Sequence, residues 1–236
     1  MGWDEQVFPH GEFAPLTPEL WAVQGSLPRS PLPRTMLVYR YAPERLLIYS
    51  AVALEPAAMA RLEALGRPDL ILIPNSLHRL QAGAYLERYP DARVICPEAA
   101  RAHVEALVPV HATAEATLPG LGLACHAPPG VKPGELVYEL PLEGGVALLF
   151  TDLLFNLSHR PGCSGWILRL LGSTGFFGVT RIGKALALQD RAAFADWLRT
   201  QAERSDVRLI SVAHGEAIVE GCGERLRAAA SRLSRT

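Results

Sequence analysis

The chain has 236 residues, 49% of them hydrophobic and 20% charged, a mix that fills a substantial core and excludes disorder. Its formal net charge of -1 offers no broad basic field to draw in nucleic acid or an anionic membrane, so neither partner is expected. The opening Met-Gly-Trp-Asp-Glu lacks a basic stretch before an apolar core, and no apolar run nears the roughly 20 residues of a membrane span. Cys96, Cys125, Cys163 and Cys222 form no C-x-x-C pair. That excludes zinc-ribbon spacing and predicts a cytoplasmic protein without disulfides.

Residues 1–34 carry Pro9, Pro15, Pro18, Pro28, Pro31 and Pro33 and read as an irregular arm with one short strand near Leu20–Val23. Met36–Tyr41 and Leu46–Tyr49 follow as β-rich runs around a turn at Ala42–Arg45. Pro56–Leu65 has helical spacing and is stopped by Gly66 and Pro68. The continuous apolar run Leu70–Ile73 suits a strand covered on both faces. A helix over Ser76–Arg88, a strand Arg93–Cys96 and a helix Glu98–Leu107 come next, then a Gly/Pro-rich stretch, Pro119–Pro133. Leu136–Leu140 and Val146–Thr151 form a second strand pair, turning at Glu143-Gly144-Gly145. Residues 158–184 are rich in Gly, Ser and aromatics and resist assignment. Arg191–Arg204 is an amphipathic helix, Val207–Val212 a buried-type strand and Glu224–Leu233 a closing helix. Strands alternating with helices predict a layered α/β protein. A hairpin followed by a βα unit occurs in both halves, and no low-complexity linker divides them, so residues 1–236 are expected to form one domain with a Pro-rich arm.

Four places, in order, carry a resemblance. Leu70–Gly83 reads as an apolar strand followed by Pro-Asn-Ser-Leu-His-Arg-Leu-Gln-Ala-Gly. Pro129-Gly-Val-Lys-Pro133 is a tight Gly/Pro turn, Leu148–Phe155 is an apolar strand ending in Thr-Asp-Leu-Leu-Phe, and Ser211-Val-Ala-His-Gly215 is a strand ending in His-Gly. Together they resemble the metallo-β-lactamase superfamily, in a divergent branch, over roughly Leu20 to Leu233. The resemblance implies an αββα four-layer sandwich, with two mixed sheets face to face and helices outside. It also implies that a small molecule binds in the cleft between those sheets.

The same alignment of motifs implies a depleted metal site. Asn75 and Leu77 fall at the first two histidine positions, Arg79 and Leu80 at the following Asp-His positions, and Val131 at the third-strand histidine. Asp152 and His214 remain where ligands belong. Zinc needs three or four N, S or O donors, so the expected function is that of a small-molecule-binding or pseudo-enzyme domain. The alternative is a hydrolase of the ester, amide or lactone type with a reshaped, mononuclear site. The cofactor reading stays open between one divalent ion (zinc, iron or manganese) and none.

Asp152 and His214 are the candidate catalytic and metal-binding pair, each directly after an apolar strand. His78, the one histidine left in the first loop, is the candidate third metal donor. Asn75, His78 and Arg79 are the candidate ligand-binding residues, Arg79 placing a fixed positive charge where the resemblance has a metal-binding Asp. Each has a plain alternative. Asn75 would cap the helix over Ser76–Arg88, Asp152 would cap a turn, and His78 and Arg79 would face solvent. Phe176-Phe177, set between glycines, is expected to mark a flap or a surface pairing with a second copy, so a homodimer is a further expectation.

Overall fold

The computed structural model describes residues 2–28, 30–159, 161–170 and 172–234, apart from the side chains of Cys163 and Ser164. The expected arm thus lacks Met1 and Arg29 from the described residues, and the unassigned stretch lacks Arg160 and Leu171. The chain forms two compact units, Met1–Gly122 and Leu123–Thr236. It is a mixed α/β protein with two main sheets and helices, the fold class expected from the sequence.

The first unit holds a seven-stranded sheet in sequential order: β1 (Ala14–Pro15), β2 (Leu20–Leu27), β3 (Ser30–Ala42), β4 (Arg45–Tyr49), β5 (Arg67–Leu72), β6 (Arg93–Cys96) and β7 (Ala112–Thr113). The first four strands run antiparallel, and β4 to β7 are parallel. Helices α1 (Pro56–Glu63), α2 (Ala82–Arg88), α3 (Arg101–Glu105) and α4 (Ala114–Thr117) lie between or after the parallel strands. The strands are apolar because their inward side chains enter one core: Val38, Ile48, Ile71 and Val94 meet Met59 and Leu62 of α1 and Tyr85 of α2. Pro56 opens α1, where its missing N–H costs nothing, and Gly66 at φ +147 ends the helical stretch.

β3 reaches well back into the Pro-rich arm. Residues 30–35 of β3 pair with β2 alone, because β4 begins its pairing at Leu37. Pro31 and Pro33 are tolerated on that half-paired length, where a missing donor breaks no second ladder. The helix expected over Ser76–Arg88 begins only at Ala82. That over Glu98–Leu107 is a 3-10 turn, Glu98–Ala100, followed by α3.

The second unit holds a four-stranded sheet ordered β13-β10-β9-β8, from β8 (Ala124–His126), β9 (Val137–Leu142), β10 (Gly145–Phe150) and β13 (Val207–Val212), with a small hairpin of β11 (Phe155–Leu157) and β12 (Phe176–Gly178). Helix α5 (Gly162–Leu170) lies between the two hairpin strands, and α6 (Arg181–Leu186) follows the second. The unassigned stretch therefore has regular structure, short and interrupted by glycines. Helix α7 (Arg191–Glu203) starts at Asp190, whose carboxylate accepts from Ala192 N (2.9 Å) and Ala193 N (3.0 Å), satisfying donors orphaned at a helix start. Helix α8 (Cys222–Ser234) buries Leu226, Ala229, Ala230 and Leu233, the spacing of one helical face. These meet Phe194 and Leu198 of α7 and Phe150 of β10 in the second core.

Cys96 and Cys222 are buried thiols outside any disulfide. Burial pushes the Cys96 thiol up to about 11, which makes it a poor nucleophile.

Candidate functional site

Asp152 and His214 are brought together by register. β10 and β13 are parallel neighbours, with Phe150 opposite Val212. Two residues beyond each strand end lie Asp152 and His214, at the same level. His214 Nε2 and Asp152 Oδ1 stand 2.9 Å apart, their side chains 6% and 19% exposed. Brackets of backbone fix the imidazole. Ala213 N donates to Phe150 O (3.1 Å), and Asn156 N donates to His214 O (3.1 Å). The Phe155 ring packs on the imidazole at 4.7 Å between centroids.

Gly215 explains the His-Gly sequence. Its φ is +129, and a Cβ there would lie 2.1 Å from Asn156 O. Any side chain would push the 155–156 segment off the His214 backbone, so the glycine is required by close approach.

In the first unit the loop after β5 is held by its own polar groups. Asn75 is buried and its Oδ1 accepts from Leu77 N (2.9 Å) and His78 N (3.0 Å). It braces this turn; the helix cap expected of it is absent, since α2 starts seven residues later. His78 is 6% exposed, which corrects the alternative of a solvent-facing residue. Its Nδ1 sits 3.0 Å from Ser50 Oγ. Ser50 itself adopts φ +56, a left-handed conformation. A second partner on the far ring nitrogen is the usual accompaniment of a metal-binding histidine.

Arg79 is half-buried, and its Nη1 donates to the carbonyl of His103. Leu77 and Leu80 are exposed. Val131 packs against the second core and bridges to Leu188. Of these positions, Asn75, Arg79 and Val131 are engaged with their own surroundings, and Leu77 and Leu80 face outward.

Other histidines are structural. His126 Nε2 is 3.1 Å from Glu139 Oε2, and His159 Nδ1 is 2.9 Å from Thr174 Oγ1. Phe177 is buried in the second core, and Phe176 is half-buried beneath the Arg232 guanidinium at 5.5 Å. The exposed Phe176-Phe177 surface expected from the sequence is therefore corrected: strand pairing with β11 turns Phe177 inward. Sequence reasoning passed over Phe155, Asn156 and Gly215 as site residues. The glycine after the histidine was the available signal.

The donor chemistry fits a divalent cation. Two donors on one tetrahedral ion at ~2.1 Å stand ~3.4 Å apart. The observed 2.9 Å is an ordinary hydrogen bond, so an ion held by both atoms would part them by about 0.5 Å. Carboxylate oxygen and imidazole nitrogen together suit zinc, iron or manganese.

This fold is that of the metallo-β-lactamases. One similar solved structure is the metallo-β-lactamase from Erythrobacter litoralis with β-mercaptoethanol in its active site, at 16% identity and a TM-score of 0.63, covering 93% of this chain and 96% of that one. Another is FIM-1 from Pseudomonas aeruginosa in its mono-zinc form, at 14% identity and 0.62, covering 98% and 99%. A third is DIM-1 exposed to ceftazidime, at 14% and 0.65, covering 95% and 98%. No family model and no curated protein matches the chain.

Proposed function

We propose that this chain is a metallo-β-lactamase-fold protein with a reduced site, in which the Asp152–His214 pair holds a single divalent cation, His78 is the third donor that the resemblance leaves in the first loop, and a small molecule binds against the ion. The observation that carries the reading is the Asp152–His214 pair, positioned by strand register at a protected depth. The Ser50–His78 contact supports the third donor, because it fixes the ring orientation a ligand needs. Two imidazoles and one carboxylate are a sufficient protein set for zinc or non-haem iron. When bound, such an ion supplies Lewis-acid charge toward a carbonyl or phosphoryl oxygen. The chain's own part is to orient: Phe155 and the Asn156 backbone hold His214, and Ser50 and Asn75 hold His78. Ester, amide or lactone hydrolysis is the reaction class this arrangement suits.

The second reading is a metal-free protein that binds a small molecule. It is favoured by Asn75, Leu77, Arg79, Leu80 and Val131, which leave the chain short of a two-metal donor set. Metal content of untagged protein prepared without chelator separates the two. About one ion per chain, lost in the Asp152→Ala/His214→Ala variant, supports the first reading and warrants an esterase and lactonase screen. Protein without stoichiometric metal, after offering zinc, iron(II) and manganese in turn, sinks it.

A further inference from the structure

From 153 to 189 the sequence carries four basic residues, Arg160, Arg169, Arg181 and Lys184, and no acidic one, in a chain whose net charge is -1. This stretch builds β11, α5, β12 and α6. Its helices also present apolar side chains outward. Trp166 (65% exposed), Ile167 and Leu170 lie on α5, and Ile182 and Leu186 (67%) lie on α6. Leu168, on the opposite face of α5, is buried. Alpha5 is thus apolar on both sides, which a helix facing only water would not sustain. At Gly172, two residues beyond α5, a Cβ would lie 3.2 Å from the side chain of Arg181, the first residue of α6.

Beside this apolar face is a pocket of about 670 Å³, lined in part by Phe176, Arg181, Lys184, Ser231 and Arg232. Among the described residues lining it, none is acidic. Burial, then the neighbouring Arg191 and Arg181 charges, lower the Lys184 ammonium from its ordinary value.

We propose that the α5–α6 face docks on an anionic lipid surface, with Trp166, Ile167, Leu170, Ile182 and Leu186 entering the headgroup region and a lipid phosphate taken by Arg181, Lys184 and Arg232. Apolar residues ringed by cations are the pattern of interfacial helices. The charge selects this occupant over a second copy of the chain. A two-fold dimer through this face would set one acid-free basic surface against another. No helix among the described residues is long and apolar enough to cross a membrane, so the docking is peripheral. The whole-chain charge masks the asymmetry, because acidic residues elsewhere cancel it; this reading replaces the expectation of no membrane partner. None of the residues it names is a donor in the metal proposal.

The test is co-sedimentation with vesicles of phosphatidylcholine containing phosphatidylglycerol, against pure phosphatidylcholine vesicles. The full chain is used at low and high salt. Binding to the anionic vesicles alone, weakened by salt, is expected. Arg181→Glu with Lys184→Glu lowers partitioning at least about tenfold. Trp166→Ser with Leu170→Ser lowers it by about tenfold, and Lys184→Arg retains it. Circular dichroism and gel filtration confirm that each variant folds. Four results overturn the proposal. They are absence of sedimentation by wild type, equal binding to neutral vesicles, variants that bind like wild type, and a wild-type dimer that the Trp166→Ser/Leu170→Ser variant splits. Binding of inorganic phosphate without binding of vesicles also overturns it.

Discussion

The loop after β5 and the strand ends of β10 and β13 occupy matching places in the sequence pattern, each directly after a buried apolar strand. They use their polar groups differently. In the loop, Asn75 gives its carbonyl oxygen to two backbone N–H groups and Arg79 gives a guanidinium N–H to His103 O. At the strand ends, Asp152 and His214 point at one another, with backbone hydrogen bonds and the Phe155 ring holding His214 in place. The difference shows why counting candidate ligands in a sequence misleads. A side chain spent on its own loop and one paired across two strand ends look alike until their partners are known.

The largest expected effect comes from the backbone under His214. Gly215→Ala drives a Cβ into Asn156 O and should lower stability by about 3 kcal/mol or more, read from a denaturant midpoint. An unchanged midpoint would mean that the 155–156 segment yields freely, and that His214 is not fixed as described. Next comes Asp152→Asn, which keeps the shape and removes the charge. Cation affinity should fall at least about a hundredfold, since the anionic ligand is lost, as titration calorimetry with zinc would record. Ser50→Ala tests the other region. Loss of the His78 contact should weaken cation binding by about tenfold, with a stability change of about 1 kcal/mol. If Ser50→Ala leaves zinc affinity untouched, His78 belongs with Asn75 among the loop's structural groups.

The smallest effect concerns acid sensitivity. Hydrogen bonds from Arg204 hold the Glu139 carboxyl below its ordinary range, against the opposing effect of burial. A carboxylate with a depressed folded value stabilises the protein at pH above the ordinary carboxylate value. That contribution is lost as pH falls through the folded value. Glu139→Gln should therefore flatten the loss of stability between about pH 5 and pH 3, while cation binding at pH 7 stays as in wild type. Stability curves against pH check it.

Much of the fold was legible because its strands are unusually plain. Leu70–Ile73 and Val146–Phe150 are uninterrupted apolar runs, and Val207–Val212 is apolar except for Arg208 and Ser211, so their patterns locate them. The first half of β3 was hidden by Pro31 and Pro33, whose tolerance depends on β4 starting its pairing late. The start of α2 was misplaced because Ser76–Gln81 lacks any breaker, yet Asn75 and the buried His78 hold it as a turn. Asp152 and His214 were legible as strand-end residues; that they face each other depends on the register of β10 against β13, which no local pattern carries. The role of Ser50 required a contact 28 residues distant.

Ser50 also sets two selections against each other. Its left-handed backbone, φ +56, is a conformation that glycine adopts without penalty and serine only with strain. A screen for heat tolerance alone would drift toward glycine at this position and gain a more relaxed main chain. The same change would remove the Ser50 Oγ contact from the His78 ring. Variants recovered from such a screen would melt later and hold their cation less tightly, so resilience and site integrity would part company at a single residue.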